Sequence, residues 1–265
     1  MTPADSGAAG QPAKTGSPKP GQASQAVPRL SVVIPSYNES RRLPDTLEKI
    51  QAFLEERDWP WEVVVSDDGS TDGTPELVRD RFPGCLVVAA GRNEGKGAAV
   101  RRGMLKASGE LRLFSDADLS TPIEEAVGMM QAMEEGNHDV VIASRALPGS
   151  ELVVRQPWWR EMSGRAFNQL VRPISGLPFH DTQCGFKLFR AEAAERLFAG
   201  QASSGWAFDV ELLMLAQALG YRVLEHPVRW INSEASKVNM LRDAPRMLGD
   251  IMAFRWRLWR GRTGA

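Results

Sequence analysis

The chain has 265 residues, of which 43% are hydrophobic and 25% charged, enough for one sizeable core with a small appended segment. A formal net charge of −1 excludes general nucleic-acid binding, although the C-terminal end is locally basic. Two cysteines, Cys85 and Cys184, make neither a disulfide framework nor a zinc site and read as reduced, packed thiols. No run of about 18 apolar residues is present, and no apolar h-region of a secretory signal opens the chain. These features predict a protein of the cytoplasmic side without a spanning helix.

Residues 1–28 are rich in Pro, Gly, Ala, Ser and Gln and contain no aromatic residue. Such a segment buries too little apolar surface to offset its ordering entropy, and a disordered tail is expected. From Leu30 to Pro35 an apolar strand ends in Ser-Tyr-Asn-Glu. Leu43, Leu47, Ile50 and Leu54 then recur at helical spacing. Trp61 to Ser66 is a β-branched strand stopping at Asp67-Asp68-Gly69-Ser70, and Thr74-Pro75 caps a second helix. A third strand runs from Cys85 to Ala90, a glycine-rich loop from Gly91 to Gly97, and a helix follows to about Ala107.

The strand Leu111–Ser115 stops abruptly at two carboxylates, Asp116 and Asp118, with Ala117 between them. Thr121 is expected to N-cap the next helix, with Pro122 at its first position and Glu124 closing a capping box. His138 to Ser144 is a fifth strand. This alternation of strand and helix predicts right-handed crossovers and a mostly parallel, doubly wound α/β sheet. Residues 146–158 form a Pro- and Gly-containing connection whose length suggests a mobile loop over a site. Trp158 to Val171 reads as a helix, Gln183 to Phe189 as a strand, Ala207 to Leu219 as a strongly apolar helix, and Tyr221 to Trp230 as an alternating strand. A polar stretch, 231–237, leads into a final helix. That helix is expected to start near Asp243, because Pro245 fits best in a first turn.

Asn38-Glu39, Asp67-Asp68, Asp116/Asp118 and Ser144-Arg145 all fall at strand ends on what should be one edge of the sheet. Open α/β sheets bind ligands at that edge, and carboxylates there accept hydrogen bonds from a ribose or a base. Asp116 and Asp118 would repel each other unless a cation sat between them. Hard ions such as Mg²⁺ and Mn²⁺ accept oxygen ligands and share them with phosphates.

Val-Val-Ile-Pro-Ser-Tyr-Asn-Glu (32–39), Ser-Asp-Asp-Gly-Ser-Thr-Asp-Gly-Thr (66–74), Asn-Glu-Gly-Lys-Gly (93–97) and Ser-Asp-Ala-Asp (115–118) together resemble the family 2 glycosyltransferases of GT-A fold, in order and in spacing. Asp-Thr-Gln-Cys-Gly-Phe-Lys-Leu-Phe (181–189), Trp-Ala-Phe-Asp-Val-Glu-Leu (206–212) and Ser-Lys (236–237) narrow the likeness to dolichyl-phosphate β-glucosyltransferases and related polyprenyl-phosphate enzymes. The resemblance spans about residues 30–255 and departs in two places. The eukaryotic members carry an N-terminal membrane helix that is not seen here, and Ser120 stands where mannosyl relatives often have Gln.

The resemblance implies an inverting, metal-dependent transfer of glucose from UDP-glucose to a polyprenyl phosphate. Pro35, Tyr37, Glu39, Asp67 and Asp68 would hold the uracil and ribose, with Lys96 nearby. Asp116, Ala117 and Asp118 would face the diphosphate, the two acids holding Mg²⁺ or Mn²⁺. The alternatives are mannose from GDP-mannose, transfer to a hydroxyl acceptor, and a non-catalytic nucleotide-sugar sensor. A lipid phosphate is already an anion and needs cations to hold it; Arg145, Arg160 and Lys237 are the candidates. Asp209 lies where hydroxyl-glycosylating relatives place their base, and two readings of it stand: base, or brace for the acceptor and its helix. A structural role is expected for His180.

The stretch Leu248–Arg262 interleaves Ile251, Phe254, Trp256, Leu258 and Trp259 with Arg255, Arg257, Arg260 and Arg262. That pattern fits a helix in a membrane interface, and with it a peripheral association with the inner face of the membrane. The domain plan is therefore a tail at 1–28, a catalytic domain at 29–240 and a basic, aromatic C-terminal helix at 241–265.

Overall fold

The computed structural model describes the backbone of residues 26–154, 158–232 and 240–261, and the side chains of these except 158–166 and 240–242. In chain order the elements are β1 (Leu30–Ser36), α1 (Leu43–Glu55), β2 (Trp61–Asp67), α2 (Thr74–Arg81), β3 (Cys85–Ala89), α3 (Lys96–Lys106), β4 (Leu111–Ser115), α4 (Glu125–Glu135) and β5 (Val140–Ser144). There follow β6 (Glu151–Val154), α5 (Trp158–Ser175), β7 (Phe186–Arg190), α6 (Ala191–Gly200), α7 (Phe208–Ala218), β8 (Val223–Pro227), β9 (Arg229–Ile231) and α8 (Met240–Trp259).

Seven strands form the central sheet in the order β3-β2-β1-β4-β7-β5-β8. All pairings are parallel except the two made by β7, which runs antiparallel between β4 and β5. The five inner strands are largely buried on both faces, where helices cover each side, while the edge strands β3 and β8 are only partly buried. Val32 and Ile34 of β1 and Val63 and Val65 of β2 join one core with α1, α2 and α4. Val33 and Val64, one residue out of step, join the other with α3, α5, α6, α7 and α8. Helix α7 is buried from Phe208 to Ala216, which explains its apolar composition all round. Helix α8 packs Met247, Ile251 and Phe254 into the same core and leaves Met252, Trp256 and Trp259 exposed.

Several local expectations change. Helix α4 starts at Glu125 rather than beside Thr121. The Thr121 hydroxyl is buried against Cys184 Sγ, 3.7 Å away, and 122–127 begin with tight turns such as Glu125 N–H to Pro122 O. Ahead of α2, the carboxylate of Asp72 accepts the Thr74 N–H, and the Thr74 hydroxyl turns to Asp72 and to the Glu39 N–H. The segment 221–230 is two strands, not one. Pro227 closes β8, and the chain then leaves the main sheet to pair as β9 with β6. Strand β6 thus lies within the connection expected to be a loop. Strand β7 starts three residues later than expected, and α6 was not anticipated, although Ala193, Ala194, Leu197 and Phe198 carry the helical spacing. Helix α8 begins at Met240, so Pro245 sits one turn in and removes a single backbone bond.

Candidate active site

Strand order reverses between β1 and β4: the chain proceeds from β1 outward to β2 and β3, then returns to β4 on the other side of β1. That switch point opens a crevice at the carboxyl ends of the strands. Tyr37 and Glu39 leave β1 on one side of it, and Asp116 leaves β4 on the other. The rim loops are tied to one another. Asn38 N–H donates to Ser70 Oγ (2.9 Å), Thr71 N–H to Asn38 Oδ1 (2.9 Å), Glu39 N–H to Thr74 Oγ1 (3.0 Å) and Ser40 N–H to Asp72 Oδ2 (3.0 Å). Burial pushes the Asp72 carboxyl up, but hydrogen bonds from Thr74 and Ser40 outweigh it and hold it at about 2. Glu39 is buried and pairs with Arg42, while Tyr37 is exposed and Pro35 half-buried.

Asp67 and Asp68 have their carboxylates inside the rim. Asp67 accepts from Ser36 Oγ (3.2 Å) and from the N–H of Ser70 (2.9 Å). Asp68 accepts from the N–H groups of Glu94 and Gly95 (2.8 Å to Gly95) and so caps α3 from another element. Gly95, at φ +108, and Gly97 press this loop onto the backbone of Ser203 to Gly205, where a Cβ on either would meet a carbonyl oxygen within 2.7 Å.

Lys96, the first residue of α3, reaches Asp116: its Nζ is 2.6 Å from Oδ1 and lies over the rings of Trp206 (5.1 Å) and Phe114 (5.5 Å). Burial opposes the ammonium charge, but the carboxylates of Asp116, Asp209 and Asp118 hold Lys96 above the ordinary lysine value. Burial, with the like charge of Asp118, raises the Asp116 carboxyl in spite of Lys96. The Asp116 side chain lies directly over Gly185, where any Cβ would come within 2.0 Å of Oδ2. The turn that carries Asp118 is strained: Leu119 sits at φ +46, a left-handed conformation that is costly for a leucine. Thr46 Oγ1 holds the Ala117 carbonyl at 2.7 Å, and Asp118 Oδ1 accepts the Ser120 N–H at 3.0 Å.

The carboxylates of Asp116 and Asp118 could hold a divalent ion. They are hard oxygen donors, and a positive charge, the Lys96 ammonium, already rests on Asp116. Among the described residues no group of three or more His, Cys, Asp or Glu could hold a metal. The ion would therefore rely on these two acids and take its other ligands from a diphosphate and water.

Beyond this pair the structure brings together what the sequence kept apart. Asp209, in the first turn of α7, is in contact with the ammonium of Lys187, which is fully buried and also donates to Cys184 O (2.6 Å). Lys187 comes from β7, directly beside Phe114 of β4. Its place in Gly-Phe-Lys-Leu-Phe, a charge in an apolar strand, was the signal in the sequence that it meets a partner. Arg145 is bidentate to Asp181, Nε to Oδ2 at 2.6 Å and an Nη to Oδ1 at 2.9 Å, and lies over the Trp230 ring (5.5 Å). In spite of burial, Asp181 raises the guanidinium and Arg145 depresses the carboxyl. His180 contacts Glu225 through Nδ1 (3.1 Å), the structural role expected of it. The side chain of Arg160 and all of Lys237 lie outside the described residues.

The sequence model of "Glycosyl transferase family 2" matches residues 31–198. A dolichyl-phosphate beta-glucosyltransferase of Trichomonas vaginalis is 37% identical over 86% of this chain and 72% of its own length. The Homo sapiens enzyme of the same name is 35% identical over 79% and 69%. Among solved structures, mannosyl-3-phosphoglycerate synthase from Rubrobacter xylanophilus superposes with a TM-score of 0.64 at 20% identity, covering 90% of this chain and 76% of that one. Glucosyl-3-phosphoglycerate synthase from Mycobacterium tuberculosis, in complex with Mn²⁺, UDP and glucosyl-3-phosphoglycerate, gives 0.61 at 22% identity over 87% and 80%. The last two likenesses bear on the fold, which is GT-A. With sequence and architecture in agreement, the chain is a glycosyltransferase belonging to family 2, and its curated relatives there are dolichyl-phosphate beta-glucosyltransferases.

Proposed function

We propose that this enzyme transfers glucose from UDP-glucose to a polyprenyl phosphate with inversion at the anomeric carbon, using Mg²⁺ or Mn²⁺. The observation that carries the reading is the pairing of Asp209 with the buried Lys187. A hydroxyl acceptor needs a general base, and the Asp209 carboxylate is already engaged by the Lys187 ammonium. A lipid phosphate arrives already ionised and needs none. Asp209 is then the brace of the two readings, holding Lys187 and the first turn of α7.

An oxygen of the acceptor phosphate forms the new bond to the anomeric carbon while the bond from that carbon to the donor's β-phosphate breaks. The bonding pair leaves with UDP. One displacement turns the α-linked glucose of the donor into a β-linked product, in keeping with the "beta" in the relatives' names. A bound divalent cation supplies Lewis-acid stabilisation of the charge developing on the departing diphosphate. Asp116 and Asp118 would hold it, and Tyr37, Glu39 and the Asp67–Asp68 rim would line the nucleoside side of the crevice. Arg145 presents its remaining N–H groups beside Trp230, near where an acceptor phosphate would approach.

Met252, Trp256 and Trp259 with Arg255 and Arg260 give α8 an exposed face suited to a headgroup layer. Among the described residues no helix is long and apolar enough to cross a membrane. The acceptor would therefore be met at the membrane surface, on the side that holds the nucleotide sugar.

The test is incubation with Mg²⁺ or Mn²⁺, a panel of UDP- and GDP-sugars and a short polyprenyl phosphate. A glucolipid from UDP-glucose alone, lost with Asp118→Ala in a protein of unchanged fold, supports the reading. A mannolipid from GDP-mannose, transfer to a free hydroxyl, or a metal-independent Asp118→Ala enzyme overturns it.

A further inference from the structure

Asp116 has one carboxylate and two claimants. Its Oδ1 is 2.6 Å from the Lys96 ammonium, and its Oδ2 lies against Gly185. A divalent ion drawn to Oδ1 competes with the ammonium for the same carboxylate, and the two positive charges repel each other there. Lys96 cannot withdraw by moving its backbone. It is the first residue of α3, and the glycines on either side are locked onto the carbonyls of Ser203 and Ser204, while Asp68 fixes the N–H groups of Glu94 and Gly95. A cation there also stands at the positive end of the helix dipole, so it needs an anion close by. Only its side chain can turn, between the rings of Trp206 and Phe114. Of the other carboxylates that act on Lys96, Asp209 is already in contact with Lys187, and Asp118 is the second acid of the same pair.

We infer that Lys96 is the resident counter-cation of Asp116, that the divalent ion displaces it, and that the displaced ammonium pairs with the diphosphate of the donor. Metal and nucleotide binding are then coupled through one side chain. The ion alone binds weakly because it strips Lys96 of its anion, and the diphosphate removes that penalty. The half of this inference that names a diphosphate rests on the proposed donor; the half that sets Lys96 against the ion does not.

The experiment is Mn²⁺ titration of the full chain, followed by electron paramagnetic resonance, without and with saturating UDP. Wild type is compared with Lys96→Met, Lys96→Gln and Lys96→Arg. Mn²⁺ alone should bind the Met and Gln proteins about 5- to 10-fold more tightly than wild type, while the Arg protein stays close to wild type. The gain in Mn²⁺ affinity caused by UDP, about 10-fold or more in wild type, should shrink to about 3-fold in the Met and Gln proteins. If Lys96 served only to orient Asp116, its removal would weaken Mn²⁺ binding. Unchanged or weaker binding of the ion alone overturns the inference, as does a UDP effect of undiminished size. Should Lys96→Met fail to fold, the Gln protein carries the same comparison. Should UDP fail to bind at all, the donor reading falls, and the titration with Mn²⁺ alone still decides the role of Lys96.

Discussion

Arg145 and Asp181 are joined by a bidentate pair at 2.6 and 2.9 Å that links the end of β5 to the loop entering β7. Asp181 also receives the Arg145 backbone N–H at 3.1 Å, and its own N–H goes to Glu225. The arginine that would meet an acceptor phosphate is thereby held by a nearly buried carboxylate, with its side chain one-third exposed. Asp181→Ala frees a partly buried cation and should cost about 2 kcal/mol in urea denaturation. It should also raise KM for the lipid phosphate more than KM for the donor. Equal changes in both constants would mean that the pair only stabilises the fold.

Gly185→Ala tests the seat of Asp116. The added methyl would lie 2.0 Å from Oδ2, so the carboxylate must move by more than an ångström. A displacement of that size typically costs about 100-fold in rate. Activity should fall by about that factor while the thermal midpoint shifts little, because the clash falls on one side chain at the rim. Turnover close to wild type would show that Asp116 need not stand where it is seen.

Asp72 gives the rim an acid-sensitive tie. Its folded-state value, about 2, lies below the ordinary 3.8, so folding favours the ionised carboxylate. The stability it contributes is complete above about pH 4 and is lost as pH falls from 3.8 towards 2. Asp72→Asn should flatten acid unfolding in that window, and a carboxyl titration by NMR should place the Asp72 midpoint well below the ordinary 3.8. A midpoint near 3.8 would remove the argument.

For α8 the expectation concerns vesicles. Trp256 and Trp259 are 50% and 82% exposed, and Arg260 stacks on Trp256 at 3.7 Å. Replacing both tryptophans by Ser should weaken flotation with anionic vesicles by about 10-fold or more, leaving the circular dichroism spectrum unchanged. Each basic residue of the face should add about 1 kcal/mol at low salt. Undiminished flotation would place the membrane contact elsewhere on the protein.

Local pattern made much of this molecule legible in advance. Strand–helix alternation from Leu30 to Ser144 follows from hydrophobic periodicity, and acids at strand ends follow from where an apolar run must stop. So the strand ends that carry Asp67, Asp68, Asp116 and Asp118, and the mostly parallel sheet behind them, could be placed before any coordinates. Boundaries failed where a side chain found a distant partner in place of its local one. Thr121 turned to Cys184 instead of capping α4, and Pro227 handed the chain from one sheet to another.

Periodicity and turn chemistry are properties of neighbours in the chain, so the sheet and the acids that crowd its carboxyl edge could be read from the residues alone. Which charge meets which was decided only by tertiary structure. Strand β7, entering antiparallel between β4 and β5, sets Lys187 beside Phe114 and under Asp209, puts Gly185 beneath Asp116, and brings Asp181 to Arg145. Those partners lie far apart in the chain, and a pairing register that joins distant segments leaves no trace in the spacing of either one.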